Sequence, residues 1–97
     1  MNETGRIQAI ERAVFILNQF SANTTSLKFV DIVKRTNLNK STVFNIIDTL
    51  KYFGLLSQDD ETKKYMLGVK LIELGEIARE SINIVKIARR YMVSIRD

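Results

Sequence analysis

The 97-residue chain contains no cysteine and no histidine. The first absence rules out a disulfide framework and any thiolate metal site, and the second removes the other common transition-metal ligand, so a zinc finger is excluded. With neither residue present, and with no glycine-rich phosphate loop among its 4 glycines, the chain lacks the nucleophile, acid–base pair or metal that catalysis requires. No enzymatic activity, metal or cofactor is therefore expected. No apolar run approaches the roughly 18 residues that span a bilayer. The opening Met1-Asn2-Glu3-Thr4-Gly5-Arg6 carries an acid with no apolar run behind it, so no membrane association and a cytoplasmic location are expected.

What is present is ordinary globular composition, 45% hydrophobic and 27% charged, at a length that suits one domain. A fold of this size hides only about 60 to 65% of its unfolded surface, so a second copy would add useful burial. The net charge of +4 is unevenly spread. Residues 27–54 hold Lys28, Lys34, Arg35, Lys40 and Lys51 against Asp31 and Asp48, a net +3 in that stretch alone.

Ile7, Ile10, Val14 and Leu17 recur at three- and four-residue steps, which predicts a helix over residues 6–20 with these side chains on its buried face. Residues 21–26 are small and polar and read as a loop. A short helix over residues 28–36 places Phe29, Ile32 and Val33 inward. Asn37 follows where a left-handed cap is needed, a conformation asparagine tolerates. Asn39 or Ser41 can cap a third helix, whose apolar positions Val43, Ile46, Ile47, Leu50 and Phe53 turn Ser41, Asn45, Asp48 and Tyr52 outward, with Phe44 and Thr49 flanking them. Gly54 ends it. Residues 55–58 and 64–67 read as two strands around a polar turn. From Val69 onward Leu71, Leu74, Ala78, Val85, Ala88, Met92 and Ile95 form a heptad-like seam broken at Ser81, on one long helix or two consecutive ones.

The expected fold is mainly α with a small β-hairpin: a winged helix-turn-helix over residues 1–68, with a three-helix core plus wing, followed by a linker or dimerisation helix over residues 69–97. Within that order Ile10-Glu11-Arg12-Ala13-Val14 with Leu17, then Leu38-Asn39-Lys40-Ser41-Thr42-Val43, Asp48-Thr49-Leu50, Gly54-Leu55-Leu56 and Tyr65-Met66-Leu67-Gly68 stand in register. In these motifs the chain resembles the IclR family of transcriptional regulators. Ile87-Ala88-Arg89-Arg90-Tyr91-Met92 is similar to the start of the family's effector-binding domain, which is otherwise missing, so the chain is expected to be a fragment that binds no small-molecule effector. The resemblance implies a homodimer on a palindromic double-stranded DNA operator. Phe44 and Asn45 stand where members commonly carry histidine or tyrosine followed by arginine, and Asn37 replaces a usual glycine, so the operator sequence does not carry over.

A major groove about 12 Å wide admits the helix over residues 39–53. Ser41, Thr42, Asn45 and Thr49 can hydrogen-bond base edges, with Asn45 suited to a bidentate pair with adenine, and Phe44 can pack on a thymine methyl. Lys28, Lys40 and Lys51 are candidate phosphate contacts, with Lys34 and Arg35 nearby, and the amides at the helix N-terminus favour a phosphate beside Lys40. Lys63 and Lys64 place the wing over residues 55–67 near the backbone or minor groove, although Asp59, Asp60 and Glu61 make its turn net negative. Asp48 is expected to hold Lys51 or the wing, and Tyr65 either touches phosphate or closes the small core under the hairpin. Gly54 and Gly68 are expected to supply backbone angles that other residues disfavour. The competing reading is a winged-helix protein-interaction module without specific DNA binding, for which the outward face should be apolar.

Overall fold

A computed structural model describes residues 5–82 of the chain. Its elements run α1 (Gln8–Leu17), α2 (Phe29–Thr36), α3 (Lys40–Tyr52), β1 (Leu56–Gln58), β2 (Tyr65–Leu67) and α4 (Lys70–Ser81). The expected architecture of three helices, a hairpin and a following helix is the one observed.

α1 buries a different face from the one expected. Ile16 is fully enclosed and Ala13, Leu17 and Phe20 pack with it, whereas Ile7 is 64% exposed, Ile10 59%, and Val14 also lies at the surface. The reason is visible in the helix itself. Residues 7, 9, 10, 13, 14, 16 and 17 form an apolar arc covering about half the circumference at 100° per residue, wider than the α2–α3 pair can cover. The core takes one edge of the arc and leaves the other in water.

After α1 the chain turns back through a tight Ser21–Thr24 pair, closed by two backbone hydrogen bonds of 3.0 and 3.1 Å. The expected loop then ends in an element that local patterning does not reveal. Leu27 N–H donates to the Tyr65 carbonyl at 3.0 Å and Tyr65 N–H donates back at 2.8 Å, so Leu27 joins the outer edge of the hairpin as a one-residue third strand. This cross-link satisfies four backbone groups, the N–H and C=O of each residue, and fastens the turn end of β2 to the entrance of α2.

Ile16, Phe20, Leu27, Ile32, Val43, Ile47, Leu50, Leu56 and Tyr65 form the core, drawn from every element except α4. Each fully buried aliphatic among them contributes roughly 1.5 to 3 kcal/mol. Phe53, expected on the inward stripe of α3, is 61% exposed. α3 stops at Tyr52, and Phe53 is its C-cap residue, so its direction is set by the turn to Gly54 (φ 77°) rather than by helical periodicity.

The hairpin pairs Leu56 with Leu67, Ser57 with Met66 and Gln58 with Tyr65. At its base Gly68 N–H donates to the Leu55 carbonyl and Lys70 N–H to the Gly54 carbonyl, at 2.9 and 3.1 Å. Gly54 has the expected positive φ. Gly68 does not, and its requirement is space, because a Cβ there would be driven into the Gly54 carbonyl. α4 then runs to Ser81, whose hydroxyl donates to the Ile77 carbonyl, and Ile82 is extended. No residue of α4 is buried: Leu71 is half-buried, and Leu74 and Ala78 are exposed. The rest of the expected seam, Val85, Ala88, Met92 and Ile95, lies outside the described residues, as does the segment from Ile87 to Met92.

Candidate nucleic-acid interface

The turn between α2 and α3 is three residues long, and each of the three is held by a hydrogen bond. Asn37 sits in the left-handed region (φ 57°, ψ 28°) and its N–H donates to the Val33 carbonyl. The Thr36 hydroxyl donates to the Val33 carbonyl at 2.9 Å and accepts the Leu38 N–H at 3.3 Å. Asn39, not Ser41, is the cap of α3: its Oδ1 accepts the Thr42 N–H at 2.8 Å. Ser41 adds only a long 3.4 Å hydroxyl contact to the same oxygen. By helix geometry the Lys40 and Ser41 amides have no intrahelical acceptor, so the start of α3 presents outward-pointing N–H donors and the positive end of the helix dipole.

Ser41, Phe44, Asn45, Asp48, Thr49 and Tyr52 are all exposed on α3, and Thr42 is half-buried. Asn45 makes no side-chain hydrogen bond among the described residues, which leaves its carboxamide able to donate and accept. Thr49 is different. Its hydroxyl donates to the Asn45 carbonyl at 2.7 Å, so it can offer a base only an acceptor. Asn45 and Thr49 also border an apolar groove of about 510 Å³ between α3 and α1, floored by Ala13, Leu17 and Ile46. Phe44, half exposed, sets its ring edge-on to Phe29 of α2 at 6.3 Å between centroids. This contact brings the start of α2, with Lys28 at its N-cap, beside the first turns of α3.

The seven cations of α2, α3 and the wing, with Lys28 at the α2 N-cap, divide into two sets. Lys28, Lys34, Lys40, Lys63 and Lys64 make no ion pair among the described residues, and Lys40 stands at the first position of α3. The other two are engaged. Arg35 Nη1 donates to the Gln19 carbonyl at 3.3 Å, tying α2 to the end of α1. Lys51 Nζ donates to Gln58 Oε1 at 2.9 Å, and Gln58 Nε2 donates in turn to the Lys63 carbonyl at 3.0 Å. Asp48 therefore does not hold Lys51. Its carboxylate acts instead on Tyr65: burial first, and the Asp48 charge second, push the Tyr65 phenol above its ordinary value of 10.0. Tyr65 is 6% exposed and closes the core beneath the hairpin rather than reaching outward. Gln58 had no signal in the sequence beyond its place on a strand.

A family model described as the IclR helix-turn-helix domain matches residues 9–60, which take in all but the first residue of α1, then α2, the turn, α3 and the first strand of the wing. The chain belongs to the IclR family. It is 39% identical over 89 residues to the HTH-type transcriptional regulator XynR of Escherichia coli (strain K12), covering 92% of this chain and 35% of that protein. Over 75 residues it is 31% identical to the HTH-type transcriptional regulator KdgR of the same organism, covering 77% of this chain and 28% of KdgR. The crystal structure of an IclR family transcriptional regulator from Brucella abortus superposes with a TM-score of 0.77 at 26% identity, over 93% of this chain and 34% of that one. The chain thus spans about a third of the length of these relatives. In this IclR-family chain no helix among the described residues is long and apolar enough to cross a membrane.

Proposed function

We propose that this IclR-family chain is the sequence-specific double-stranded DNA-binding part of a transcriptional regulator and catalyses nothing itself. α3 is the reader helix and lies in the major groove, and the wing runs beside the backbone or the minor groove. The observation that carries this reading is the N-terminal half of α3. There, amides with no intrahelical acceptor, Lys40 and the Asn45 carboxamide, neither side chain partnered among the described residues, lie within the first two turns of an exposed helix behind a hydrogen-bonded turn. Such an N-terminus favours a phosphate, and the first turns of a reader helix are the part that reaches base edges. Ser41, Thr42, Phe44, Asn45 and Thr49 are the base-facing set, with Asn45 foremost. Lys28, Lys40, Lys63 and Lys64 serve as phosphate contacts. A DNA partner of this kind implies a cytoplasmic protein.

The DNA-binding unit is a homodimer on a palindromic operator. The support is the set of exposed apolar side chains at two helices, Ile10 and Val14 on α1 with Ile7 at its N-cap, and Ile72 and Ile77 on α4 with Val69 at its N-cap, which a second copy would bury. Residues 69–97 then act as linker and dimerisation segment, and any small-molecule effector is bound elsewhere in the longer regulator.

The test is fluorescence-anisotropy binding to duplex DNA from upstream of the chain's own gene, against scrambled duplex, at about 50 and 200 mM salt. Preferential, salt-dependent binding that weakens about 5- to 150-fold on Asn45→Ala supports the assignment, a bidentate base contact being worth roughly 1 to 3 kcal/mol. Binding without preference that ignores Asn45→Ala refutes the reader-helix assignment. Complete absence of binding favours a protein-docking module, for which the exposed Tyr52–Phe53 pair, edge-on at 4.9 Å, is one candidate surface.

A further inference from the structure

The wing is short. Its two strands contribute three residues each, a length that is marginal by itself in water, and backbone anchors hold it at the base and, through Tyr65, at the turn end of β2. Those anchors are the Leu27–Tyr65 bridge and the Gly68–Leu55 bond. The turn beyond them, where Lys63 and Lys64 sit, is closed upon itself. Lys63 N–H donates to the Asp59 carbonyl at 2.8 Å, Asp59 N–H to the Lys64 carbonyl at 2.9 Å, and Lys63 adopts φ 63°. These bonds shape the turn, and the Leu27–Tyr65 bridge seats its β2 end beside the entrance of α2, but none of them joins the turn to α3.

One side chain connects that turn to α3. Gln58, the last residue of β1, is half-buried and uses both ends of its carboxamide: Oε1 accepts from Lys51 Nζ at 2.9 Å, and Nε2 donates to the Lys63 carbonyl at 3.0 Å. An amide is suited to this position because the two groups it must satisfy are opposite in kind, a cationic donor on one side and a carbonyl acceptor on the other. A carboxylate would meet the Lys63 carbonyl with a second acceptor, and an apolar side chain would engage neither group. The ammonium of Lys51, although part of the basic stretch around α3, is directed along this relay.

We propose that Gln58 is a positioning residue that fixes the DNA-facing wing against the reader helix, with Lys51 as its strut rather than a phosphate contact. The proposal rests on the DNA-binding reading above and adds to it the device that sets the spacing between the two DNA-facing elements. The carboxamide links the turn that carries Lys63 and Lys64 to the helix that carries Lys40 and Asn45, in addition to the backbone bridge that seats Tyr65.

The test has two arms, both on the 97-residue chain. In the first, ¹⁵N relaxation and amide exchange are compared for the unsubstituted chain, Gln58→Leu, Gln58→Glu and Lys51→Met, with thermal melts to establish that all four remain folded. Gln58→Leu is expected to increase fast motion and exchange at residues 60–64 while leaving the helices unchanged, and Gln58→Glu, which keeps only the Lys51 end, to do the same. In the second arm, affinity for the upstream duplex is measured over a salt series. Gln58→Leu is expected to weaken binding about 3- to 10-fold, the range of one or two lost hydrogen bonds, with the salt slope unchanged. Lys51→Met should likewise leave the slope unchanged, whereas removal of a phosphate contact lowers it by about 0.9. Unaltered wing amides in Gln58→Leu overturn the proposal, as does a loosened wing with undiminished affinity or a lowered slope in Lys51→Met. Absence of DNA binding by the unsubstituted chain overturns the DNA-binding reading and the functional half of this proposal together. The wing amides distinguish that result from a failure of the Gln58 link itself.

Discussion

Replacing Asn39 separates what the turn does for folding from what it does for DNA. Asn39 Oδ1 accepts the Thr42 N–H at 2.8 Å and is the side-chain cap of α3, the helix that supplies Val43, Ile47 and Leu50 to the core. Loss of such a cap to alanine costs about 0.5 to 2 kcal/mol. For a domain of this size each kcal/mol lowers Tm by about 4 to 8 °C, so Asn39→Ala should melt several degrees early. Urea denaturation followed by circular dichroism should show a lower midpoint at unchanged m, since the native surface is unaltered. Ser41→Ala is the matched control: the hydroxyl it removes lies 3.4 Å from the same oxygen and its loss leaves the cap in place, so the stability should change by less than about 0.5 kcal/mol. Asn39→Asp should keep or slightly raise stability, because a carboxylate caps equally well and suits the helix dipole. The same charge faces the site proposed for a phosphate, so DNA affinity should fall even though the fold is intact. Equal costs for Asn39→Ala and Ser41→Ala would refute the capping assignment. Undiminished DNA binding by Asn39→Asp would refute a phosphate at this helix end.

Three further outcomes are expected. Gly68→Ala forces a methyl into the Gly54 carbonyl and should cost about 1 to 3 kcal/mol, while Gly75→Ala, on open helix surface, should raise stability or helicity by up to about 1 kcal/mol; chemical denaturation measures both. Tyr65 is neutral in the fold and its phenol is raised above 10.0, so its contribution is fully present below that pH. Above it the unfolded chain ionises while the native one does not, and stability falls as pH rises. Tyr65→Phe should remove the latest-titrating part of the absorbance at 295 nm and flatten the alkaline loss of stability. Ile10→Glu changes a side chain already 59% exposed, so the monomer should stay folded while sedimentation shifts from two chains to one; an unsubstituted chain that sediments as a monomer at micromolar concentration would refute the proposed dimer face.

The residues differ in how readily their places could be read. The α2–α3 turn was legible because its determinants are local: an asparagine at the left-handed position, a capping side chain at Asn39, and an apolar stripe that leaves Ser41, Asn45 and Asp48 outside. The periodicity that identified α1 also misassigned its buried side, since an arc that wide contains more than one plausible inward stripe. Tyr65 stood between two roles until the hairpin was seated on the core.

By itself the sequence determined the order of elements, the chemistry of the turn and the polar face of α3, which follow from neighbours within a few positions, and the family, which follows from motifs in register between Ile10 and Gly68. Only the tertiary structure decided that Ile16 and not Ile10 enters the core, that Leu27 pairs with Tyr65, that Gly68 is needed for space, and that Arg35 and Lys51 are bound to Gln19 and Gln58. Helical period gives the angle at which a side chain leaves its helix but not which element waits there. A long cation takes the nearest acceptor the packing supplies, and that acceptor can lie far away in sequence.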